Sequence, residues 1–243
     1  MIVIPAIDII DGKCVRLTEG DYQQKKVYDD DPVAVAHRFA EAGLMHLHVV
    51  DLDGARSGHI VNQRTLAAIT HAVPELHVDF GGGLKTDDDL RIAFECGARQ
   101  ITGGTIAVRA RPRFEGWLAR HGSERIILGA DVRDGFVAVS GWQESSELEL
   151  FAFLRSYVAL GIEYVICTDI SRDGRLEGSA QILYAAIRQE FPDVKLIASG
   201  GVSSLDDLKA LRRIGCYAAI VGKAIYEGQI SLAALRDFSE SAN

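Results

Sequence analysis

Short apolar runs alternate with amphipathic stretches along the whole chain. Eight of these runs have the length and residue types of buried strands, and the stretches between them, roughly ten residues long, have helical spacing. Pro32 is placed to open one helix, and Thr86 and Ser204 are placed to cap two others. Repeated strand-helix units predict a parallel sheet surrounded by helices. The eight runs are Ile2–Ile7, Leu47–Val50, Val78–Phe80, Gln100–Thr102, Ile126–Ala130, Tyr164–Cys167, Leu196–Ala198 and Ala218–Val221.

The two halves of the chain repeat one another at a nearly constant spacing. Gly43 and Asp51 are matched by Gly161 and Asp169, each 118 positions later. Eight strand-helix units built as two similar halves of four predict a (β/α)8 TIM barrel, an α/β fold, made of two half-barrels. The same offset relates Gly82-Gly83 to Gly200-Gly201, Gly97 to Gly215 and Gly104 to Gly222, and an offset of 123 relates Asp8–Gly12 to Asp131–Gly135.

We expect the barrel to occupy residues 1–243 as one domain, with half-barrels at about 1–122 and 123–243. A length of 243 residues with 48% hydrophobic residues is enough for a core of this size. A doubly wound parallel sheet is the alternative fold. The G-x-G-x-x-G fingerprint that follows the first strand of such sheets is missing here.

Composition narrows the classes of partner. The formal net charge of −8, from 26 Lys+Arg and 34 Asp+Glu, opposes attraction to nucleic acid or to an anionic membrane. Met1 starts a strand-like segment rather than a signal peptide, and the apolar runs end at charges after a few residues. We therefore expect a cytoplasmic protein whose four widely spaced cysteines are reduced and packed.

Candidate chemistry collects where the predicted strands end. In a (β/α)8 barrel the active site lies at the carboxyl ends of the strands. Asp8, Asp51 and Asp131 follow the first, second and fifth runs, and Thr168-Asp169 follows the sixth. Each aspartate alone could be a strand-end cap, but four carboxylates on one rim repel one another, which favours a functional site.

Glycine-rich turns follow the other four predicted strands. Glycine lets backbone N–H groups approach an anion closely at a helix start, and barrels commonly bind phosphate after strands seven and eight. Tight turns are the alternative explanation for each pair. Because the repeat duplicates the pattern, we predict two phosphate sites for a substrate phosphorylated at both ends. The residues are Gly200, Gly201, Gly222 and Lys223 in the second half, and Gly82, Gly83, Gly104 and Thr105 in the first.

Two long connections, residues 18–31 and 133–147, are candidates for closure over a substrate, and each is associated with an Asp-Gly hairpin signal, at Asp11-Gly12 and Asp134-Gly135. Trp142 could stack on a flat heterocycle or pack under its own loop. Arg16 could reach an anionic or carboxamide group or remain a solvated charge. We interpret His46, His48 and His77 as packing or surface residues, because they have no metal-ligand spacing with the rim aspartates.

Eight stretches spread over the chain match the motifs of one known family: IPAIDIIDGKCVRL (4–17), GDY (20–22), VVDLDGA (49–55), GGGLKTDDDL (81–90), VSGWQE (139–144), CTDISRDG (167–174), ASGGV (198–202) and VGKAIYEG (221–228). In these stretches the sequence closely resembles the phosphoribosylformimino-aminoimidazole carboxamide ribotide isomerases of histidine biosynthesis. The combination of SRDG with the SGW loop distinguishes the isomerase from the related cyclase. Three positions depart from the family pattern: Glu19, Lys85 and Arg175.

The resemblance implies an Amadori rearrangement, aminoaldose to aminoketose, on a bisphosphorylated substrate. One acid and one base suffice, so we expect neither metal nor cofactor. By the family match Asp8 is the base; its repeat partner Asp131 is the first choice for the acid, and Asp173 is a rival. Thr168 would orient the sugar, and Trp142 and Arg16 would position the imidazole carboxamide.

Two other functions remain open at this point. The first is a dual-substrate isomerase that also acts on phosphoribosyl anthranilate. The second is a non-catalytic phosphosugar-binding barrel, against which the carboxyl groups of Asp8, Asp131 and Asp173 argue. We expect a monomer whose partner is a small molecule.

Overall fold

A closed barrel of eight parallel strands forms the centre of the protein in a computed structural model, which describes residues 1–18 and 21–241. The barrel strands follow the order β1, β4, β5, β6, β7, β10, β11 and β12, and β12 pairs with β1 to close the ring. Each predicted run lies within one barrel strand, so the predicted TIM barrel is confirmed. The strands are β1 (Ile2–Ile10), β2 (Lys13–Thr18), β3 (Asp21–Asp29), β4 (His46–Asp51), β5 (His77–Gly81), β6 (Gln100–Gly103), β7 (Ile126–Arg133), β8 (Phe136–Val139), β9 (Glu144–Glu149), β10 (Tyr164–Asp169), β11 (Lys195–Ser199) and β12 (Ala218–Val221).

Helices connect the barrel strands, and three of them begin where the sequence predicts. Asp31 accepts hydrogen bonds at the start of α1, directly before Pro32, and Thr86 and Ser204 each form a capping box. The helices are α1 (Pro32–Glu41), α2 (Leu52–Ser57), α3 (Gln63–Ala72), α4 (Asp87–Glu95), α5 (Thr105–Arg109), α6 (Arg111–His121), α7 (Leu150–Val158), α8 (Gln181–Glu190), α9 (Leu205–Ile214), α10 (Lys223–Tyr226) and α11 (Leu232–Glu240).

Two antiparallel hairpins extend the sheet beyond the barrel. β1 continues into β2 and β3, and β7 continues into β8 and β9. The turns are the predicted Asp-Gly pairs, whose φ angles are 53° at Asp11, 73° at Gly12, 51° at Asp134 and 84° at Gly135. Positive φ at both central residues is the geometry that such two-residue hairpins require. Much of the two long connections is therefore sheet rather than open loop.

The apolar core has two main layers, besides a small third cluster of Ile10, Val15 and Leu17 on β1 and β2. A large outer layer fills the space between the barrel strands and the helices, with Phe80, Phe114, Trp117, Tyr157 and Tyr184 among its fully buried side chains. A smaller cluster fills the barrel interior and closes the lower part of the barrel. Its buried members are Ile4, Ala6, Ile127, Ile166, Ile197, Ala218 and Ile220.

None of the helices in the described ranges has the length and apolar character that crossing a membrane requires. Cys14, Cys167 and Cys216 are buried, Cys96 is half-buried, and no disulfide joins any two of the four.

Candidate active site

A cavity opens at the carboxyl ends of the barrel strands and brings together most of the predicted site residues. The ionisable and aromatic groups that line it include Asp8, Arg16, Asp131, Trp142 and Asp173. Thr168 also lines the cavity, as do Gly82, Gly83, Gly104 and Thr105 from the first half and Gly200, Gly201, Gly222 and Lys223 from the second.

Asp8 is paired with a half-buried cation. Arg16 extends from β2, the strand antiparallel to β1, and its Nη1 donates to Oδ2 of Asp8 at 2.6 Å. The guanidinium also lies over Gly222: a Cβ atom at that position would come within 1.0 Å of Nη2 of Arg16. Burial lowers the pKa of Arg16, but the charges of Asp8 and Asp173 outweigh that effect and raise it. Arg16 is thus a fixed positive charge beside Asp8.

Asp131 occupies the equivalent place on β7 in a different environment. Nε1 of Trp142 donates to Oδ2 of Asp131 at 2.8 Å. Burial raises the pKa of this carboxyl group, while hydrogen bonds from Trp142 and Thr168 and the charge of His48 act in the opposite direction. Three consecutive positive φ angles, 57° at Ser140, 63° at Gly141 and 69° at Trp142, turn the indole toward the carboxylate. Trp142 is therefore half-buried in the cavity wall rather than packed under its own loop.

Asp173 lies on the connection that follows β10, which folds over the cavity. Nζ of Lys223 donates to the carbonyl oxygen of Gly174 at 2.6 Å, so the start of α10 anchors this connection. Burial, reinforced by the charges of Asp8 and Asp131, raises the pKa of Asp173 to about 6, although Arg16 and Lys223 oppose the change. The site therefore holds two carboxyl groups with raised pKa values.

The other two rim aspartates do not line the cavity. Asp51 is fully buried, and its carboxylate accepts hydrogen bonds from the backbone N–H groups of Gly54, Val61 and Asn62 and from the side chain of Asn62. Asp169 accepts from the N–H and hydroxyl groups of Ser171. The expectation that four carboxylates converge is thus wrong for these two, because loop backbone takes up their hydrogen-bonding capacity.

The glycine pairs have a structural requirement of their own. A Cβ atom on Gly82 would come within 2.2 Å of the Asp51 carbonyl oxygen, and one on Gly201 within 2.3 Å of the Gly178 carbonyl oxygen. Their φ angles, 93° and 77°, also favour glycine. Close backbone packing therefore explains these glycines even without a ligand.

Two short helices start at the cavity wall without a side-chain cap. α5 begins after Gly104 and α10 after Gly222, and no side chain of the described residues caps either one. The first N–H groups of a helix attract anions. The two starts are 118 positions apart, so the repeat places one on each half of the cavity.

Sequence reasoning missed a polar group on the cavity floor. His48, interpreted from the sequence as a packing or surface residue, lines the cavity, and its Nδ1 lies 2.8 Å from Oδ2 of Asp79. Thr102 also lines the cavity, and its hydroxyl donates to Oδ1 of Asp79 at 2.7 Å. A signal was present in the repeat, because these three positions correspond to isoleucines in the second half.

Among the residues that the structure describes, no group of three or more His, Cys, Asp and Glu side chains could hold a metal ion. Of the departures from the family pattern, Lys85 lines the cavity, and Arg175 lies 4.0 Å from Glu177. Glu19 and Gly20 lie outside the described residues.

A cavity at the carboxyl ends of barrel strands, lined by carboxyl groups in contrasting environments, is the arrangement of a (β/α)8-barrel enzyme with acid–base chemistry. The sequence profile of the family described as "Histidine biosynthesis protein" matches residues 2–231. The chain belongs to this family and is one of its isomerases.

Curated relatives share the whole length of the chain. A Bacteroides fragilis protein is 58% identical over 236 residues, which cover 97% of this chain and 98% of the relative. A Flavobacterium johnsoniae protein is 55% identical over 238 residues, 98% of this chain and 99% of the relative. A Parabacteroides distasonis protein is 55% identical over 237 residues, 98% and 99% of the two chains. All three are named 1-(5-phosphoribosyl)-5-((5-phosphoribosylamino)methylideneamino) imidazole-4-carboxamide isomerase.

Proposed function

We propose that the protein converts the bisphosphorylated aminoaldose named in its relatives to the corresponding aminoketose by an Amadori rearrangement. The observation that carries this proposal is the contrast between Asp8 and Asp173. Asp8 is paired with Arg16, whereas burial raises the pKa of Asp173 to about 6. Carboxyl groups in divergent environments can divide the roles of acid and base.

The reaction requires several proton transfers and no net oxidation. An acid protonates the ring oxygen of the ribose, and the ring opens to a protonated Schiff base between C1 and nitrogen. Asp8 removes the proton from C2, which gives an enolamine. The C2 hydroxyl then loses its proton to the conjugate base of the acid, and Asp8 returns its proton to C1, so the product is an isomer of the substrate.

We assign the acid to Asp173 rather than to Asp131. A carboxyl group whose pKa is raised to about 6 keeps a useful protonated fraction near neutral pH. Asp131 accepts from Trp142, a contact that favours its ionised form and suits an orienting role. The connection that carries Asp173 lines the cavity and is anchored by Lys223, so it holds the acid in the site.

The two phosphate groups would bind at the starts of α5 and α10. Neutral backbone donors at both helix starts allow a protein with a net charge of −8 to hold a dianionic group at each end of its substrate. Trp142, half-buried in the cavity wall between these ends, would then contact the imidazole carboxamide.

Conversion of the bisphosphorylated aminoaldose in the presence of a chelator tests the proposal directly. We expect turnover of this compound, whereas binding without conversion would contradict an isomerase. Phosphoribosyl anthranilate, run in parallel, tests the dual-substrate alternative. Asp173→Asn and Asp131→Asn then separate the candidate acids: the variant that loses the alkaline limb of the kcat pH profile identifies the proton donor.

A further inference from the structure

The floor of the cavity holds three polar residues, in a layer of the barrel that the second half fills with isoleucines. His48 on β4, Asp79 on β5 and Thr102 on β6 project into the barrel interior, and we call these three residues the floor triad. The imidazole Nδ1 of His48 lies 2.8 and 2.9 Å from the two carboxylate oxygens of Asp79. Thr102 donates to the same carboxylate at 2.7 Å. The side chain of Asp79 is only 5% exposed, so a carboxyl group is buried here.

Barrel packing does not require these polar residues. Each floor-triad position has a counterpart 118 residues later, namely Ile166, Ile197 and Ile220. The strand register repeats as well: His48 pairs with Asp79 between β4 and β5, and Ile166 pairs with Ile197 between β10 and β11. The second half thus fills the same layer with isoleucines that are 2 to 6% exposed. Burying a carboxylate instead costs free energy, and that cost points to a function.

The contact with Asp79 determines which ring nitrogen of His48 is left for a ligand in the cavity. Nδ1–H donates to the Asp79 carboxyl group, which leaves Nε2 as the ring nitrogen that can bond a substrate in the cavity. The charged groups that face the imidazole are Asp79 on β5, Asp8 on β1, Arg16 on β2 and Asp131 on β7. Burial lowers the pKa of His48, but Asp79 and Asp8 outweigh burial and raise it, so the imidazolium form persists to higher pH.

We propose that His48 is a further catalytic residue, which donates a hydrogen bond from Nε2 to the C2 oxygen of the opened sugar while Asp8 works on C2. This inference rests on the proposed function. His48 transfers no proton in this role; a cationic donor on the C2 oxygen withdraws electrons from C2, acidifies its C–H bond and favours the ketone. Asp79 is a positioning residue, because it acts only through the imidazole.

Two substitutions of His48 separate the donor from the structural contact. His48→Asn keeps an amide nitrogen near the position of Nδ1, so Asp79 retains a partner, but it removes Nε2. His48→Gln places an amide nitrogen near the position of Nε2 and gives up the Nδ1 contact. We expect His48→Asn to fold and to lose about 100-fold in kcat, with KM changed less than about threefold. His48→Gln should recover part of the loss.

A second histidine provides the matched control. His77 also bonds a side chain on the neighbouring strand, with Nε2 2.8 Å from Oε1 of Gln100, but it lies at the lower end of the barrel, away from the cavity. His77→Asn should keep kcat within about twofold of wild type. If His48→Asn retains kcat within threefold as well, the role of the floor triad is purely structural and the proposal is wrong.

Asp79→Asn tests the pH dependence of kcat, which a purely structural role of Asp79 would leave unchanged. Without the carboxylate, His48 loses its proton at lower pH. Its ionisation should then join that of the acid, Asp173, in the alkaline limb of the kcat profile and move this limb to lower pH, while kcat at acid pH changes little. An unmoved limb would overturn the role of Asp79 as positioning residue.

Nitrogen NMR of the wild-type enzyme separates this inference from the proposed function. Failure of the wild type to convert the aminoaldose refutes the proposed function alone. Added ribulose 5-phosphate, whose C2 oxygen is the carbonyl that the reaction forms, should still shift the Nε2 resonance of His48. A saturating sugar phosphate that leaves this resonance in place would overturn the donor role.

Discussion

Thr86 and Asp89 form a capping box at the start of α4, and Ser204 and Asp207 form the same box at the start of α9. The offset is 118 residues in both cases, as it is for the uncapped starts of α5 and α10. Inside the barrel the halves differ, because isoleucines occupy the positions of the second half that correspond to the floor triad of the first. Equivalent residues therefore build the strands, turns and helix starts of both halves, which we call the frame. The two halves of the active site differ at positions where the repeat is broken.

The same divergence applies to the pair of repeated aspartates. Asp8 and Asp131 are related by the repeat, yet Arg16 partners the first and Trp142 the second. The repeat counterpart of Arg16 is Val139, a buried apolar residue. A symmetric scaffold has thus acquired an asymmetric site through a few side chains on its hairpins.

The largest expected effect is the loss of the base. Asp8→Asn keeps a similar shape and removes the proton acceptor, so kcat should fall by about 10³- to 10⁴-fold. Asp131→Asn should cost less, about 100-fold, because the neutral amide still contacts Trp142 in an orienting role. Steady-state kinetics with the aminoaldose measure both. Equal losses would show that the two aspartates are chemically equivalent, which would break the comparison.

Replacing the floor triad by its repeat counterparts separates stability from activity. The triple variant His48→Ile, Asp79→Ile, Thr102→Ile should fold with an unfolding free energy within about 2 kcal/mol of wild type, since buried charges can be exchanged for apolar residues at little cost. Its kcat should fall by about 100-fold or more. Urea unfolding and kinetics test both parts. Loss of folding would show that the first half needs its polar layer for packing.

The frame could be predicted from the sequence because its elements depend on residues that are close together in the chain. Strand runs, helix caps and Asp-Gly turns depend on neighbouring residues, and the repeat added the pairing of halves. Asp8, Asp131 and Asp173 line the cavity because the carboxyl ends of parallel strands share one edge of the barrel.

What the sequence could not supply was the direction of individual side chains. Asp51 follows a strand as Asp8 does, but its oxygens are taken up by the backbone of residues 54–62, which only the folded loop brings close. His48 lies among apolar residues in sequence, and its partner Asp79 is 31 positions away. Such contacts are set by register across strands, and pattern alone does not contain them.

Replacing the buried aspartate of either capping box should lower the unfolding free energy by the same amount in both halves. Asp89→Ala strips a hydrogen-bond acceptor from the N–H groups of Ile60, Lys85 and Thr86, and Asp207→Ala does the same at α9. Each should lower the unfolding free energy by about 2 to 3 kcal/mol. Urea unfolding measures the two.

Neighbouring aspartates serve as controls for the caps. The side chains of Asp88 and Asp206 are 83% and 87% exposed, and their replacement by alanine should change stability by less than about 0.5 kcal/mol. A difference above about 1.5 kcal/mol between Asp89→Ala and Asp207→Ala would show that the frame is not equivalent in the two halves.

The smallest expected effect is on the pH dependence of stability, and it arises from residues at the lower end of the barrel. His46 stacks on His77 at 5.0 Å, whereas their repeat counterparts Tyr164 and Lys195 form a hydrogen bond of 3.0 Å. Burial, with the charge of His77, lowers the pKa of His46 to about 4 from its ordinary value of about 6.5. The folded state therefore binds fewer protons than the unfolded state, and stability falls as the pH drops from about 6.5 toward 4.

Since His46 is partly exposed, this loss should be about 1 kcal/mol between pH 7 and pH 5. His46→Gln should remove that part of the pH dependence in urea unfolding at the two pH values. Tyr164→Phe, the change at the counterpart position, should lower stability equally at both, because neither ring titrates in this range. If wild type and His46→Gln lose the same stability on acidification, the acid sensitivity does not arise from the histidine stack of the first half.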